Sequence, residues 1–416
     1  MPSVEGAGAR RAALRMLDSV LRRGQTLDAA TARARNLLPP DLGLAVAIAG
    51  EVLRRIPDLD ALIDSATRQR LPDDSKARMV LRIALAQKIG LDTPDHALVA
   101  TALPLVEGGP RRLVHGVLGT LLRRGVPVGD APRLPANVEE RWRSAWGEET
   151  VEAARRQIAK RPPLDLTFAE DAEARAYARD HNGVSLATNH VRVESSSVAD
   201  LPGFGEGRWW VQDLAASLPA RLIPRDAADV LDLCAAPGGK TMQLAAAGHR
   251  VTAVDSSASR LGRLRENLER TRLRAELVEA DALKWKPSRS FDAILLDAPC
   301  SATGTFRRHP EVLYRARPKA IADNAALQAR LLATASHWLK PRGVLVYSVC
   351  SLEPHEGEAV IEQFLAGDTD FSIDLPNDLP RFALPSDRGW VRVLPGLLEG
   401  EGGLDGFFMA RLVRRP

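Results

Sequence analysis

From about Ala227 to the C-terminus, short apolar runs alternate with amphipathic helical segments, and this alternation constrains the fold more than any other feature of the chain. The apolar runs occupy residues 228–234, 250–255, 275–281, 291–298 and 343–349, and helical periodicity appears between them at 257–271 and 319–340. Buried strands that alternate with helices are typical of a parallel sheet with helices on both faces. The sequence therefore predicts an α/β domain over 227–416.

The first 125 residues have a different periodicity. Apolar residues recur every three or four positions, as they do on the buried face of a helix. The segments with this pattern are 9–24, 42–56, 58–68, 76–90, 95–107 and 111–124. No stretch of the region alternates as a strand does. We predict an all-α domain over 1–125, a linker rich in glycine and proline over 126–137 and a small α+β module over 138–226.

Composition excludes several classes of protein. No apolar run in the 416 residues approaches the roughly 18 that span a bilayer, and arginines interrupt the N-terminus where a signal peptide needs an apolar core. The three cysteines, Cys234, Cys300 and Cys350, are odd in number and widely spaced, so they fit neither a disulfide framework nor a Cys-x-x-Cys metal site. We expect a cytoplasmic protein with no membrane partner and no metal, and we take it to be a monomer.

The charge of the chain is concentrated at its N-terminus. The formal net charge is +4, but residues 1–130 contain 19 basic and 14 acidic residues, a local excess of +5. A basic domain favours a polyanionic partner such as nucleic acid. Arginine outnumbers lysine 49 to 8 along the whole chain, however, so a general compositional bias is an equally direct explanation.

Polar residues follow the first three predicted strands of the α/β domain. The first strand leads into CAAPGGKT (234–241), a glycine turn before a helix whose free amide groups can bind a carboxylate or phosphate. The turn is neither a G-x-G-x-x-G motif nor a P-loop, and a tight connection would explain it as well. The next strands end in Asp255 and Asp281, where a carboxylate can bind a ribose, although Asp255 can also cap a helix. Together, these strand ends predict a site for a nucleoside-containing cofactor.

The fourth and fifth predicted strands each lead to a cysteine. Asp297 and Cys300 lie three residues apart after the fourth strand, and Cys350 follows the fifth. A single cysteine is often a small buried hydrophobe, and we interpret Cys234 in this way. Two cysteines beside serines at the ligand-binding edge of a sheet instead indicate nucleophilic chemistry, in which a cation such as Lys240 or Arg307 would favour the thiolate.

Three strings in the α/β region carry a family resemblance. LDLCAAPGGKT, LLDAPCSATGTFRRHPEV and LVYSVCSLEPHEGE resemble the RNA cytosine-C5 methyltransferases of the Nop2/Sun group, which use S-adenosylmethionine. The resemblance covers about 138–414. The N-terminal region is similar to the NusB-like RNA-binding domain through VLRR (52–55), TPDHALV (93–99) and RRLVHGVLGTLLRR (111–124). Together, the two resemblances imply a Rossmann-like methyltransferase domain that follows a NusB-like domain.

The resemblance also implies roles for individual residues. The loop expected around the methionine part of S-adenosylmethionine consists of Cys234, Ala235, Ala236, Pro237, Gly238, Gly239 and Lys240. Asp255 would hold the ribose hydroxyls, Asp281 would lie at the adenine, and Asp297 would lie close to both the cofactor and the base. Cys350 would be the nucleophile that adds to carbon 6 of cytosine, and Cys300 would assist release of the product.

Two residues depart from the family patterns, and one segment has two interpretations. Val349 precedes Cys350 where the methyltransferases more often have threonine, and His115 stands where NusB-like helices often have asparagine. Arg307, Arg308 and His309, close to the Pro-Cys motif, are candidates for contacts with RNA, or they form a solvated turn.

Four functions are consistent with the sequence. The first is methylation of 16S ribosomal RNA, and the second is methylation of transfer RNA by the same catalytic module. The third is a DNA cytosine methyltransferase, whose nucleophile is the cysteine of a Pro-Cys motif and would here be Cys300. The fourth is an RNA-binding assembly or transcription factor with an inactive methyltransferase fold. The intact glycine turn and both thiols favour an enzyme, and we expect 16S ribosomal RNA as its partner.

Overall fold

The computed structural model describes residues 6–34, 36–127, 129–194, 198, 201–368, 370–374 and 379–416. The chain forms two compact units. The first unit extends to Arg161 and includes Phe306–Arg315, and the second contains Pro162–Thr305 and Ala316–Pro416. In the part of the chain that is described, no helix is both long enough and apolar enough to cross a membrane.

The first unit consists of helices, as the sequence predicts. They are α1 (Ala7–Leu21), α2 (Leu27–Ala32), α3 (Pro39–Ser65), α4 (Lys76–Gly90), α5 (Asp95–Ala102), α6 (Gly108–Arg124), α7 (Ala136–Trp146), α8 (Glu148–Ile158) and, from later in the chain, α13 (Val312–Arg315). Apolar stripes on α1, α3, α4 and α6 form the core, with Leu17, Leu53, Leu81 and Leu118 fully buried. Helices α7 and α8, which the sequence analysis assigns to the intermediate module, lie in this unit.

Helix α3 is continuous through Pro57, although the sequence predicts two separate helices at 42–56 and 58–68. Proline lacks an N–H, so the carbonyl of Leu53, four residues earlier, loses the donor that an α-helix normally supplies. The hydroxyl of Tyr314, which belongs to the same unit, donates to that carbonyl at 2.9 Å. A partner that is distant in the sequence thus permits one helix where local rules predict two.

The segment Phe306–Arg315 is an integral part of the first unit. The ring of Phe306 packs edge-on against Trp142, with 5.4 Å between the ring centroids. The carboxylate of Glu311 accepts a hydrogen bond at 3.1 Å from the backbone N–H of Leu27, the first residue of α2. Helix α2 has six residues, too few to show a periodicity, and the sequence analysis does not predict it.

A small antiparallel sheet begins the second unit, in agreement with the predicted α+β module. Its strands are β1 (Leu164–Phe168), β2 (His190–Val193) and β3 (Trp209–Val211), in the order β2-β1-β3, with α9 (Asp171–Asp180) beside them. Asp165 is fully buried in β1, where Arg192 donates to its carboxylate at 2.6 and 2.8 Å. Burial alone would raise the pKa of Asp165, but the hydrogen bonds from Arg192 and His190 hold it below the usual value.

The main sheet has eight strands with helices on both faces. The strands are β4 (Asp229–Leu233), β5 (Arg250–Asp255), β6 (Glu276–Glu279), β7 (Phe291–Asp297), β8 (Leu339–Val349), β9 (Phe371–Ile373), β10 (Val391–Val393) and β11 (Phe407–Arg414). The helices are α10 (Leu214–Arg221), α11 (Gly239–Ala246), α12 (Ala258–Thr271), α14 (Pro318–Ser336) and α15 (Glu358–Gly367). The strand order is β10-β11-β8-β7-β4-β5-β6, and β9 also pairs with β11.

The sheet is mixed, whereas the sequence predicts a parallel one. Strands β4 to β8 are parallel to their neighbours, but β11 runs antiparallel to β8, β9 and β10. Parallel neighbours need a crossover connection, usually a helix, and the alternation of strands with helices ends after α15. In the described part of this region no α-helix lies between the last three strands, and β9 and β10 both pair with β11 in the antiparallel direction.

Candidate active site

The predicted site residues follow adjacent strands at the carboxyl edge of the main sheet. Strands β5, β4, β7 and β8 are neighbours in that order. Asp255 ends β5, Cys234 follows β4, Asp297 ends β7, and Cys350 follows β8. Asp297 is in register with Ser348, two residues before Cys350. Ligands of open α/β sheets bind at this edge.

The two thiols predicted to act on the substrate lie next to each other. The sulfur atoms of Cys300 and Cys350 are 3.6 Å apart, and both residues are partly exposed. The hydrogen bond with Cys350, together with burial, raises the pKa of Cys300 well above its usual value. The raised pKa favours the neutral thiol form of Cys300, and either sulfur can be the donor in the contact between them.

An ion pair lies beside the thiols. The ammonium group of Lys240 is 2.7 Å from Oδ2 of Asp297, and the hydroxyl of Ser348 donates to Oδ1 of the same carboxylate at 2.9 Å. Burial alone would lower the pKa of Lys240, but the ion pair with Asp297 raises it above the usual value. Lys240 therefore keeps its positive charge, which also interacts with Cys350. A neighbouring cation stabilises a thiolate.

The loop before α11 has the backbone conformation that a close approach to a ligand requires. Cys234 and Gly238 both have a positive φ, of 60° and 104°. A Cβ atom on Gly238 would lie 2.0 Å from Cδ1 of Leu264, so only glycine fits there. Helix α11 begins at Gly239 and presents the backbone N–H groups of its first turn at the edge. Burial raises the pKa of Cys234 to about 12, in agreement with its interpretation as a small neutral residue.

Asp255 is engaged by the protein itself. Its side chain is fully buried and accepts hydrogen bonds from the backbone N–H of Ala236 at 3.2 Å, the N–H of Ser257 at 2.9 Å and the guanidinium of Arg260 at 2.8 Å. Ser257, rather than Asp255, caps α12, because its hydroxyl accepts from the N–H of Arg260. The contact of Asp255 with a ribose stays a prediction.

The other predicted polar residues differ in their surroundings. Asp281 is exposed after β6, accepts a hydrogen bond at 3.0 Å from the N–H of Leu283 and pairs with Lys284 at 3.5 Å.

Arg307 is only 1% exposed in the first unit, so neither a surface contact with RNA nor a solvated turn describes it. Arg308 and His309 are partly exposed.

The sequence analysis misses two buried carboxylates near the site. Asp232, in β4, accepts a hydrogen bond at 2.6 Å from the hydroxyl of Thr241, and burial raises its pKa to about 7. Glu356 is fully buried and accepts from Ser301 and Ser351. Glu356 lies in the polar string LEPHEGE, which carries no signal of burial, whereas Asp232 occupies an inward position of an apolar strand and could have been noticed.

Comparison with protein families covers both parts of the chain. Residues 219–413 match the family model described as 16S rRNA methyltransferase RsmB/F, and residues 7–123 match the NusB family. The first match contains the loop before α11 and both thiols.

Individual relatives extend over nearly the whole chain. Ribosomal RNA small subunit methyltransferase B of Erwinia tasmaniensis is 34% identical over 97% of this chain and 98% of the relative. The protein with the same name in Xylella fastidiosa (strain Temecula1) is 34% identical over 99% of both chains.

Solved structures share the fold. The crystal structure of PH0851 has a TM-score of 0.75 with 22% identity and covers 99% of both chains. A methyltransferase homolog protein from Pyrococcus horikoshii has a TM-score of 0.57 with 27% identity and covers 71% of this chain and 98% of its own. With the sequence matches, these results lead to one conclusion: the chain belongs to the RsmB/F family of 16S rRNA methyltransferases, with a NusB-family domain at its N-terminus.

Proposed function

We propose that this chain methylates carbon 5 of cytosine in 16S ribosomal RNA and that Cys350 forms a covalent bond to carbon 6 of the base. One observation carries the proposal: the sulfurs of Cys300 and Cys350 lie 3.6 Å apart, beside the ion pair between Lys240 and Asp297. Methyl transfer to an oxygen or an exocyclic nitrogen needs no cysteine nucleophile. Carbon 5 of cytosine is a poor nucleophile until a thiolate adds at carbon 6.

The residues at the sheet edge fit S-adenosylmethionine. The backbone N–H groups at the start of α11 suit its carboxylate, and the partly exposed carboxylate of Asp297 suits its positively charged groups. Asp255 and Asp281 are the proposed partners of the ribose and the adenine. S-adenosylmethionine is the cofactor of the family and supplies an electrophilic methyl group when it is bound.

Each of the two thiols acts in a different step of the proposed reaction. The sulfur of Cys350 bonds to carbon 6, and the electron pair of the C5–C6 double bond becomes available at carbon 5, where the methyl group is accepted. The charge of Lys240 favours the attacking thiolate. Asp297 is placed to hydrogen-bond the base and to support protonation of the ring during attack. The proton on carbon 5 must then pass to a base, such as a water molecule that Cys300 helps to place. The electron pair of the C5–H bond re-forms the C5–C6 double bond, and the bond between carbon 6 and the Cys350 sulfur breaks with its electron pair left on the sulfur.

The substrate proposal rests on the family. Relatives that match nearly the full length are named ribosomal RNA small subunit methyltransferase B, which favours 16S ribosomal RNA over transfer RNA. A ribosomal RNA substrate also agrees with the cytoplasm expected from the cysteine content. Because the base must leave its stack to meet the thiol, an unpaired nucleotide is the less costly target.

The test of product and substrate is a map of 5-methylcytidine in RNA from a strain that lacks the gene. We expect one or more 16S sites to lose the modification and to regain it when the wild-type gene, but not the Cys350→Ser variant, is returned. Loss of 5-methylcytidine from transfer RNA alone would mean that transfer RNA, and not 16S ribosomal RNA, is the substrate. An unchanged map in both RNAs would reject the proposed activity.

A further inference from the structure

Glu356 joins the two loops that carry the thiols. Its side chain is fully buried, in a short helical turn after β8. One carboxylate oxygen accepts hydrogen bonds from the backbone N–H of Ser301 at 2.8 Å and from the amide of Asn324 at 2.9 Å. The other accepts from the hydroxyls of Ser301 and Ser351. Within the described part of the chain, no basic side chain pairs with Glu356.

Three of the four donors to Glu356 belong to residues next to the thiols in the sequence. Ser301 directly follows Cys300, and Ser351 directly follows Cys350. A single carboxylate therefore holds the chain one residue away from each sulfur. The two hydroxyls also lie 3.2 Å from each other, so the loops meet at this carboxylate as well as at the sulfurs.

The carboxylate is itself held in place. Asn324 belongs to α14, so one partner of Glu356 comes from a packed helix rather than from either loop. The hydroxyl of Tyr347, in β8, donates to the backbone carbonyl of Glu356 at 2.5 Å. Because α14 and β8 are regular elements, they fix the point from which both loops are held.

Only a carboxylate can accept all four of these hydrogen bonds. Burial of a charge is costly unless donors surround it, and all the donors here are neutral groups that need an acceptor. The negative charge also contributes to the raised pKa of Cys300, after the hydrogen bond with Cys350 and burial. The same carboxylate thus favours the neutral thiol form of Cys300.

We propose that Glu356 is a positioning residue, which sets the separation of the two thiols and keeps the nucleophile and the release group directed at the same base. The effect on catalysis rests on the proposed function. The effect on the separation of the sulfurs does not, and it can be measured without RNA.

The first test uses oxidation of the thiols by diamide as a measure of their separation. Cys300 and Cys350 together lose two protons and two electrons to the N=N bond of diamide, which becomes a hydrazine, and a disulfide forms. In the wild type we expect ready formation, because sulfurs 3.6 Å apart need only a small movement. In Glu356→Ala the initial rate should fall about tenfold, since three hydrogen bonds from the thiol loops and one from α14 are lost. Mass spectrometry of the linked peptide gives the rate.

Glu356→Gln and Ser351→Ala keep the test informative if Glu356→Ala folds poorly. A glutamine can still accept on one side and donate to the hydroxyls on the other, so it should recover most of the rate. Ser351→Ala removes one hydrogen bond to Glu356 and should slow disulfide formation by a smaller factor, about threefold. The matched control is Asp292→Ala, which removes a carboxylate that accepts from two backbone N–H groups and Lys340 at the opposite end of β7. It should leave the oxidation rate unchanged.

The second readout is steady-state kinetics with RNA. We expect Glu356→Ala to lower kcat about a hundredfold with little change in KM for RNA, because a positioning residue acts on the thiols and not on RNA binding. An unchanged oxidation rate in folded Glu356→Ala and Ser351→Ala would overturn the inference, even if the wild-type protein makes 5-methylcytidine as proposed. A slower oxidation rate in a protein that makes no 5-methylcytidine would support the positioning role while the proposed function fails.

Discussion

At the scale of single residues, Asp232 is a buried carboxyl group that the fold keeps without a salt bridge. Oδ2 accepts from Thr241, and Oδ1 has no partner in the ranges that are described. Burial raises the pKa of Asp232 to about 7, whereas an aspartate in the unfolded chain titrates near 3.9. Between these values the folded state binds more protons than the unfolded state. This group therefore makes the protein less stable as the pH rises from about 4 to 7.

Asp232→Asn is expected to remove this dependence. The asparagine keeps an acceptor for Thr241 and has no charge to desolvate, so the variant should be more stable than the wild type at pH 8, by on the order of 3 kcal/mol. At pH 5 the difference should be much smaller. Urea unfolding at the two pH values measures it. An equal difference in the free energy of unfolding at pH 5 and pH 8 would mean that Asp232 is not protonated in the folded state.

Lys240 gives a second prediction at this scale. Lys240→Gln should slow the alkylation of Cys350 by iodoacetamide about tenfold at neutral pH, because the cation that stabilises the thiolate is lost. Lys240→Arg keeps the charge and serves as the control, with a rate close to that of the wild type. Quantification of alkylated Cys350 by mass spectrometry provides the measurement. Equal rates in all three proteins would show that Lys240 does not act on this sulfur.

At the scale of elements, the continuity of α3 depends on Tyr314. Its hydroxyl takes the place of the N–H that Pro57 lacks, as the donor to the carbonyl of Leu53. Tyr314→Phe should leave this carbonyl unsatisfied and lower the free energy of unfolding by about 1–3 kcal/mol. In a Pro57→Ala background the helix supplies its own donor, so the same change should cost less than about 1 kcal/mol. Thermal unfolding of the four proteins measures the coupling, and additive effects would contradict it.

The same scale shows what the sequence can and cannot predict. Strands β4 to β8 and helices α12 and α14 of the α/β domain follow from local periodicity. The convergence of Asp297, Cys300 and Cys350 follows because parallel strands end at one edge. The continuity of α3 and the role of Glu356 depend on partners elsewhere in the chain, Tyr314 in the first case and Ser301 in the second. Hydrogen bonds of this kind leave no local pattern. Strand direction at the C-terminus is likewise invisible to periodicity.

At the scale of the whole molecule, the charge of the N-terminal region needs a refined interpretation. Some of its arginines are structural: Arg78 is fully buried, with ion pairs to Asp60 and Asp64, and Arg82 is paired with Asp60. These ion pairs join two basic residues to two acidic ones, so the local excess of +5 over residues 1–130 is unchanged when the pairs are set aside. The region matches the NusB family, and its binding to RNA stays a prediction.

The proposed reaction depends on different roles for the two thiols, attack on the base by Cys350 and release of the product by Cys300. The most direct measurement incubates Cys300→Ser, Cys350→Ser and the double variant with substrate RNA and S-adenosylmethionine, and looks for a protein–RNA adduct on a denaturing gel. We predict an adduct in Cys300→Ser, mapped to Cys350, and none in the other two, because Cys350 attacks and Cys300 releases. An adduct in Cys350→Ser, mapped to Cys300, with none in Cys300→Ser, would contradict the account.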